Sequence, residues 1–491
     1  MKVTLSIFIL LLMPLAYGQN EEDALRYSSE SLGGTARNIG MGGAMTALGG
    51  DYSATLKNPA AIGKFIKSNF SFTSFVEQNV SETSFRGNIQ SQDIFNYKLG
   101  NLSYVKAYEL NPRNYNNWMG VQLGIGYNRK QSFNKSFSYN GSGSGSIIDY
   151  FIVEAGNTDP DLIYGENRYS AGLAYDNYVI DPYINDSGIY YDSDKSGDSK
   201  QSRRFTESGG MGEVNFSISG NYNNKLLVGA SLNIVTLNYD SRFTHNESFA
   251  DTSSSIQTLD YSGYLNVNGS GVNLRIGTVF MPYDFIRIGL AIETPTRLVV
   301  HEKFGNDMRN ESVYGIYETD NETQPTGAFD YIVITPFKAN LSIGLIDKKL
   351  GSIGMELEVV DYSMANMKSL PNADLDFYSF NTENAQIENL YNNTFNFKIG
   401  AEGRITNQLY LRAGYAIFGS AYKDEKNVYA PPIQNYTGGI GYNFGSTYID
   451  FAAVFQQENF NHVAYSPDIE GSIAGVKNLK KQFVLTFGAR F

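Results

Sequence analysis

No cysteine occurs anywhere in the 491 residues, which removes disulfide scaffolds, thiolate metal sites and cysteine nucleophiles together. Tryptophan occurs once, and the three histidines, His245, His301 and His462, are far apart. A positive excess is missing too. The 38 Lys and Arg stand against 50 Asp and Glu, a formal net charge of -12. Nucleic-acid partners are therefore not expected, since their binding proteins gather Lys and Arg on one face. Mean hydropathy is -0.29 and charge is spread throughout. That excludes a helical membrane protein, each span of which needs roughly 20 consecutive apolar residues. Neither a Gly-x-Ser-x-Gly elbow nor a His-Glu-x-x-His pair occurs, so no enzymatic activity is expected. No cofactor is expected either. Haem would need an axial His or Tyr, and nothing singles one out.

What the chain has in quantity is glycine (49), tyrosine (36) and phenylalanine (31). Many glycines and aromatics with a polar average suit an outer-membrane β-barrel, where only every second strand residue meets lipid. The two ends agree. Met1 and Lys2 precede an apolar run from Val3 to Leu15 and then Ala16-Tyr17-Gly18, the pattern of a secretory signal peptide cleaved after residue 18. At the other end Phe483, Leu485, Phe487, Ala489 and Phe491 share one face, with Gln482, Thr486, Gly488 and Arg490 on the other. This period of two predicts a strand with one apolar face.

The alternation recurs at Val121–Tyr127, Leu226–Ile234, Ile286–Ile292, Phe395–Ala401, Leu409–Ile417 and Ile449–Phe455. It predicts an all-β fold, a transmembrane antiparallel barrel of about fourteen strands. These lie near 69–79, 98–107, 117–130, 211–222, 225–240, 258–281, 284–304, 328–346, 350–363, 393–404, 407–418, 434–445, 447–458 and 480–491. Tight turns fall at Asn223-Asn224, Pro282-Tyr283, Asp347-Lys349, Thr406-Asn407 and Gly445-Ser446. Long links fall between them, the longest at 131–210. Short turns on the periplasmic side and long loops outside are the expected asymmetry.

Residues 19–66 precede the first strand without alternating. Their small residues let backbones approach closely, and apolar positions at helical spacing from Ile39 to Leu48 predict short helices plugging the barrel. The run Ala36-Arg37-Asn38-Ile39-Gly40-Met41-Gly42-Gly43-Ala44, then Gly49-Gly50-Asp51 and Asn58-Pro59-Ala60-Ala61-Ile62-Gly63, resembles the FadL-type outer-membrane transporters of hydrophobic compounds, in particular the branch common in Bacteroidetes. The domain organisation is then a leader (1–18), an N-terminal plug or hatch (19–66) and a barrel (67–491). The resemblance implies fourteen strands and a hatch motif at Asn58, Pro59 and Ala60. It also implies passive uptake of long-chain fatty acids or aromatic hydrocarbons, with sideways release through a gap made by a kink in the third strand. Gly120, Gly124 and Gly126 are where that strand has latitude to bend. Outer-membrane lipid and lipopolysaccharide are the expected surroundings. The alternative is a non-transporting accessory barrel with a protein partner in a larger outer-membrane assembly, as in type IX secretion.

Charges on the inferred inner faces supply the candidate ligand contacts. Arg275, Arg287, Lys398 and Arg412 are placed to meet a carboxylate by a charge-assisted hydrogen bond. The competing reading is a ladder of cations and carboxylates that compensate one another, since charges inside a barrel need partners whatever is carried. In the long loop, Asp192, Asp194, Ser196 and Asp198 resemble the start of a calcium loop, but Arg203 stands where its Glu belongs.

Overall fold

The computed structural model describes residues 21–491 except 114, 187, 252, 321–323, 372–377 and 424–430; the expected leader lies outside the described residues. Among the described residues, twenty-one strands follow one another. The first seven are β1 (Asn69–Phe85), β2 (Asn88–Glu109), β3 (Trp118–Ser132), β4 (Lys135–Gly143), β5 (Asp181–Asn185), β6 (Gly188–Asp192) and β7 (Ser199–Tyr222). Next come β8 (Leu226–Phe249), β9 (Ile256–Tyr283), β10 (Ile286–Glu293), β11 (Arg297–Ser312), β12 (Gly315–Glu318), β13 (Thr326–Ile334) and β14 (Lys338–Asp347). The last are β15 (Gly351–Asp361), β16 (Asn366–Ser369), β17 (Asn393–Arg404), β18 (Leu409–Phe418), β19 (Ile433–Asn443), β20 (Thr447–Val463) and β21 (Ile473–Arg490). Three wall crossings are broken once each, into β10 and β11, β13 and β14, and β15 and β16. The wall is thus crossed fourteen times, all antiparallel.

Closure is direct. β21 pairs with β1 from Asn69↔Arg490 to Ser84↔Gly475, and the Phe491 amide donates to the Ser68 carbonyl at 3.0 Å. In lipid every backbone polar group needs an internal partner, which a closed cylinder supplies. Outward residues form an apolar band, including Phe483, Leu485 and Phe487 on β21 and Leu290 and Ile292 on β10, while Gln482, Thr486 and Glu293 point inward and are buried. This is a transmembrane β-barrel. Among the described residues, no helix is long and apolar enough to cross a membrane.

The strands run further at one end than the alternation predicts. β1 and β2 meet at Arg86-Gly87, both at positive φ, in the two-residue turn that suits a hairpin's twist, where a loop at 80–97 is expected. β8 continues to Phe249, and β7 starts at Ser199 within the expected loop 131–210. The rest of that loop is also ordered. It holds β4, helices over Ile147–Ala155, Ile163–Glu166 and Ala171–Asp176, and the β5–β6 hairpin. The physical reason is common to all these extensions: beyond the lipid the outer face of a strand meets water and is polar, while inward residues such as Ser81, Thr83, Gln201 and Arg203 are polar and buried, so the hydrophobic alternation that marks a strand disappears. The helical part packs Ile148, Phe151 and Leu173 against Phe243, Phe249 and Leu259 at the long end of β8 and β9.

β3 leaves the wall. β2 and β3 pair only from Asn101↔Asn128 to Glu109↔Gly120, so residues 88–100 of β2 are laddered on the β1 side alone. The departure is a register shift at Arg129–Gln131 against β7. It does not use Gly120, Gly124 or Gly126, the latter two of which instead make room for the Tyr52 ring. The accommodating glycines are on the partner strand: Gly209 sits at φ +106, with Gly210 next to it. After the break β4 turns inward, and Phe137 and Tyr139 bury against Phe85, Ala474 and Val476.

A charge placed in the lipid-facing band measures the band directly. Leu290→Arg is expected to lower the unfolding free energy of the reconstituted barrel by ~2–4 kcal/mol, and Ser91→Arg, on the tall β1–β2 hairpin, by less than ~1 kcal/mol. Urea titration of both variants checks the contrast.

Candidate functional site: the barrel interior

Residues 21–65 add no strand to the wall. They form helix α1 (Glu21–Ser28), helix α2 (Ala36–Gly40) and two 3₁₀ turns, Tyr52–Leu56 and Pro59–Lys64. The starts of α2 and of both turns are capped by a nearby oxygen: Thr35 accepts from the Asn38 amide, Asp51 from Ser53 and Asn58 from Ala60. Their remaining polar groups reach inner faces all round the cylinder. The Ala36 amide donates to Thr486 Oγ1 (2.7 Å), Arg37 to Glu402, Thr46 to Glu356, and the Tyr52 hydroxyl to the Asn215 carbonyl (2.9 Å).

Asn58 is fully buried. Its amide donates to the Thr278 and Leu290 carbonyls at 3.0 and 3.3 Å, while its oxygen accepts from the Ala60 amide at 2.9 Å. Pro59 occupies the first position of the turn, where its missing N–H costs nothing. Close approach explains many inward glycines. A Cβ on Gly354 would collide with the Ala44 carbonyl, and one on Gly400 with that of Met41.

The four cations singled out in the sequence do not share one pocket. Arg275 is fully buried and donates to Glu213 (2.6 and 2.5 Å) and Glu293 (2.6 Å). Lys398 bonds Glu356 at 2.8 Å. Arg412 binds Glu402 (2.7 Å) and Asp450 (2.6 Å), and Arg37 lies against the same Glu402 at 2.7 Å. Three of the four are therefore neutralised within the protein. Arg287 has no carboxylate within 4 Å among the described residues and donates to the Leu48 carbonyl near the short-turn end. The interior is largely the compensating ladder.

Sequence reasoning missed a cluster of lysines. Glu30, just after α1, meets Lys57, Lys338 (2.7 Å) and Lys130 (3.3 Å). Lys130 also lies 3.6 Å from both Glu213 and Glu293, and Lys57 lies 2.5 Å from Glu358. The three lysines come from the N-terminal segment, the break in β3 and the start of β14. The only signal in the sequence was Pro336, two residues before Lys338, in a strand read as over-long.

Beside the β2–β3 break, Ser31 donates through its amide (3.2 Å) and hydroxyl (3.0 Å) to the Lys130 carbonyl. Arg129 spans the break to the Leu99 carbonyl at 3.2 Å. A narrow cleft lined by Leu32, Gly33, Gly100, Arg129 and Lys480 has room for about one water molecule.

The four residues of the calcium-like run are not drawn together. Ser196 bonds Asp251, Asp192 accepts from the Ser193 amide, and among the described residues no group of three or more His, Asp or Glu could hold a metal.

No family model and no curated protein matches the chain in sequence. Its fold does match solved structures. A FadL homologue of Pseudomonas aeruginosa superposes with a TM-score of 0.58 at 14% identity, covering 94% of this chain and 99% of that one. A Pseudomonas putida toluene transporter, TodX, gives 0.53 at 15% identity over 94% and 100%. CymD, a monoaromatic hydrocarbon channel, gives 0.50 at 14% over 94% and 98%. The fold is the FadL type, and the protein is a multi-pass barrel of the outer membrane.

The ion pairs divide by burial. Arg275→Met removes the 2.5–2.6 Å partner of Glu213 and Glu293 and leaves both to Lys130 at 3.6 Å, and is expected to cost ~3–5 kcal/mol of unfolding free energy. Lys348→Met, at the exposed pair with Asp284 (3.1 Å), should stay within ~1 kcal/mol of wild type in the same urea titration.

Proposed function

We propose that the protein is a passive uptake channel for hydrophobic small molecules, a long-chain fatty acid or an aromatic hydrocarbon, in which residues 19–66 act as the hatch. Channels for hydrophobic compounds sharing this fold support the class of cargo. The observation that carries the reading is the coincidence of two features. The N-terminal segment fills the interior, and at Ser31–Gly34 it lies against the one stretch, residues 88–100, where β2 has no partner toward β3.

A ligand moving down the interior meets the segment before it meets the periplasm. Asn58-Pro59-Ala60 anchors the segment's lower end, through the Asn58 bonds to Thr278 and Leu290 and the Ser219 hydroxyl on the Ala60 carbonyl at 3.2 Å. Displacing the upper end uncovers the break, and the ligand leaves sideways into the outer leaflet. The cleft as it stands admits about one water, so passage requires that movement.

Deleting the protein should lower cellular uptake of radiolabelled palmitate or toluene, and the purified barrel should bind at least one of them. Unchanged uptake together with no binding of either would refute the channel. Gly100 lines the break, where a side chain would meet Phe75, Thr73 and the Gly34 carbonyl at 3.3–3.5 Å and push into the cleft. Gly100→Leu should therefore reduce uptake by about 10-fold or more while leaving equilibrium binding near wild type, a loss of about 1.4 kcal/mol in passage alone. Equal losses of binding and uptake would argue against sideways release. A stoichiometric protein partner with neither compound bound would support an accessory barrel instead.

A further inference from the structure

Formal charge is spread unevenly along the barrel axis. Residues 64–68, 106–118, 222–226, 282–288, 346–351, 403–410, 442–448 and 488–491 make up the short-turn end. They hold ten Lys and Arg against three carboxylate side chains, Glu109, Asp284 and Asp347. On a chain of net charge -12, that end is positive by seven and the remainder negative by nineteen. Among the described residues only Lys348 of the ten has a carboxylate within 4 Å, its partner being Asp284 at 3.1 Å. Higher in the interior, cations such as Arg275 and Arg412 are compensated; at this end they are left open.

Their positions give this surplus a direction. Arg287 on β10, Arg404 on β17 and Arg490 on β21 continue the inward faces that carry Glu293, Glu402 and Thr486 further up. These strands lie apart in the wall, so the three guanidinium groups stand round the mouth and not in one spot. Lys64 is brought there by the end of the 3₁₀ turn Pro59–Lys64, and Arg287 donates to the Leu48 carbonyl, so the N-terminal segment shares this face. Between Lys64 and Lys67, Ile66 is 89% exposed. The mouth thus presents open cations together with an apolar side chain.

We propose that this periplasmic mouth is a docking face for a soluble protein with an acidic surface. Charge complementarity carries the choice of partner. An acidic surface is repelled by the rest of the chain and attracted at this end alone, which steers encounter and fixes orientation. The size is adequate. Fourteen strands ~4.8 Å apart and tilted by ~40° enclose a mouth about 28 Å across, a face of roughly 600 Å². With the turns around it this approaches the roughly 800 Å² that each partner gives to a stable interface. Lipid headgroups of the adjoining leaflet lie outside the wall, away from cations on its inner face. The proposal is independent of the uptake reading, since it concerns the end of the barrel that sideways release does not use.

The test uses the full-length barrel in nanodiscs of neutral phosphatidylcholine, with a fluorescein-labelled Glu-rich peptide as the acidic probe. Combining Lys67→Gln, Lys225→Gln, Lys349→Gln and Arg404→Gln removes four exposed cations that no carboxylate holds. The combination should weaken peptide binding by about 10-fold or more at low salt. Combining Lys200→Gln, Arg204→Gln, Lys303→Gln and Lys368→Gln, exposed at the long-loop end, removes the same charge and should leave binding within about 2-fold. In cells, a photo-crosslinking residue at Ile66 should join the barrel to a protein of negative net charge, in the long-loop variant but not in the short-turn variant. The same residue at the exposed Ile316, at the far end, should not form that adduct. Equal weakening by both combinations, no peptide binding, or no acidic adduct at Ile66 would overturn the proposal. So would loss of peptide binding when phosphatidylglycerol replaces phosphatidylcholine, which would assign the cations to lipid headgroups.

Discussion

The structure depends on one constraint, that backbone N–H and C=O groups within lipid must find partners inside the protein. The fourteen-strand closure meets it almost everywhere, down to the last rungs between β1 and β21. Where the ladder stops, between β2 and β3 above Asn101, partners come from elsewhere: Arg129 bonds the Leu99 carbonyl and Ser31 bonds the Lys130 carbonyl. The N-terminal segment therefore completes part of the wall's bonding as well as occupying the interior. Any displacement of its upper end acts on the wall at the same place.

The interior follows from a second balance. Inward side chains on a barrel this wide must be filled in or hydrated, and charges among them need partners. The segment supplies both. Its small residues let the backbone lie against Gly354 and Gly400, and its own charges join those of the wall, with Arg37 on Glu402 and Glu30 on Lys338. The result is an interior held by specific pairs around α2 and the 3₁₀ turns, and by apolar packing together with further pairs, such as Arg26 on Asp23 and Lys480 on Glu77, toward the other end.

Much of this was legible in the sequence where lipid imposes a pattern. The fourteen crossings, the short turns and the non-alternating segment at 19–66 all follow from period-two hydrophobicity or its absence. The parts that escaped share a cause. The upper halves of β1, β2 and β7 stand in water on their outer side, so Val80–Phe85 and Ser199–Gly209 carry no alternating apolar face. The cations named from strand faces were real inward residues, but a face says nothing about partners, and Arg275, Lys398 and Arg412 proved committed to carboxylates. Lys57, Lys130 and Lys338 meet only in three dimensions, from a turn, a strand break and the residue two beyond Pro336.

That last placement follows from the wall itself. Proline cannot donate to a ladder and is tolerated at bulges and breaks. Pro295 separates β10 from β11 and Pro336 separates β13 from β14, and the two breaks adjoin, with the Thr335 amide bonded to the Thr296 carbonyl at 3.0 Å. Glu293 is the last residue before one break and Lys338 the first after the other, and they are cross-strand partners. Lys130 sits within the register shift of β3. The cluster around Glu30 thus draws on residues at three irregularities of one wall. A regular barrel of the same composition would keep its ladder and would lack this cluster and the open edge of β2. Departures from the repeating pattern are where such a fold can hold a ligand, because the repeat alone offers every position the same neighbours.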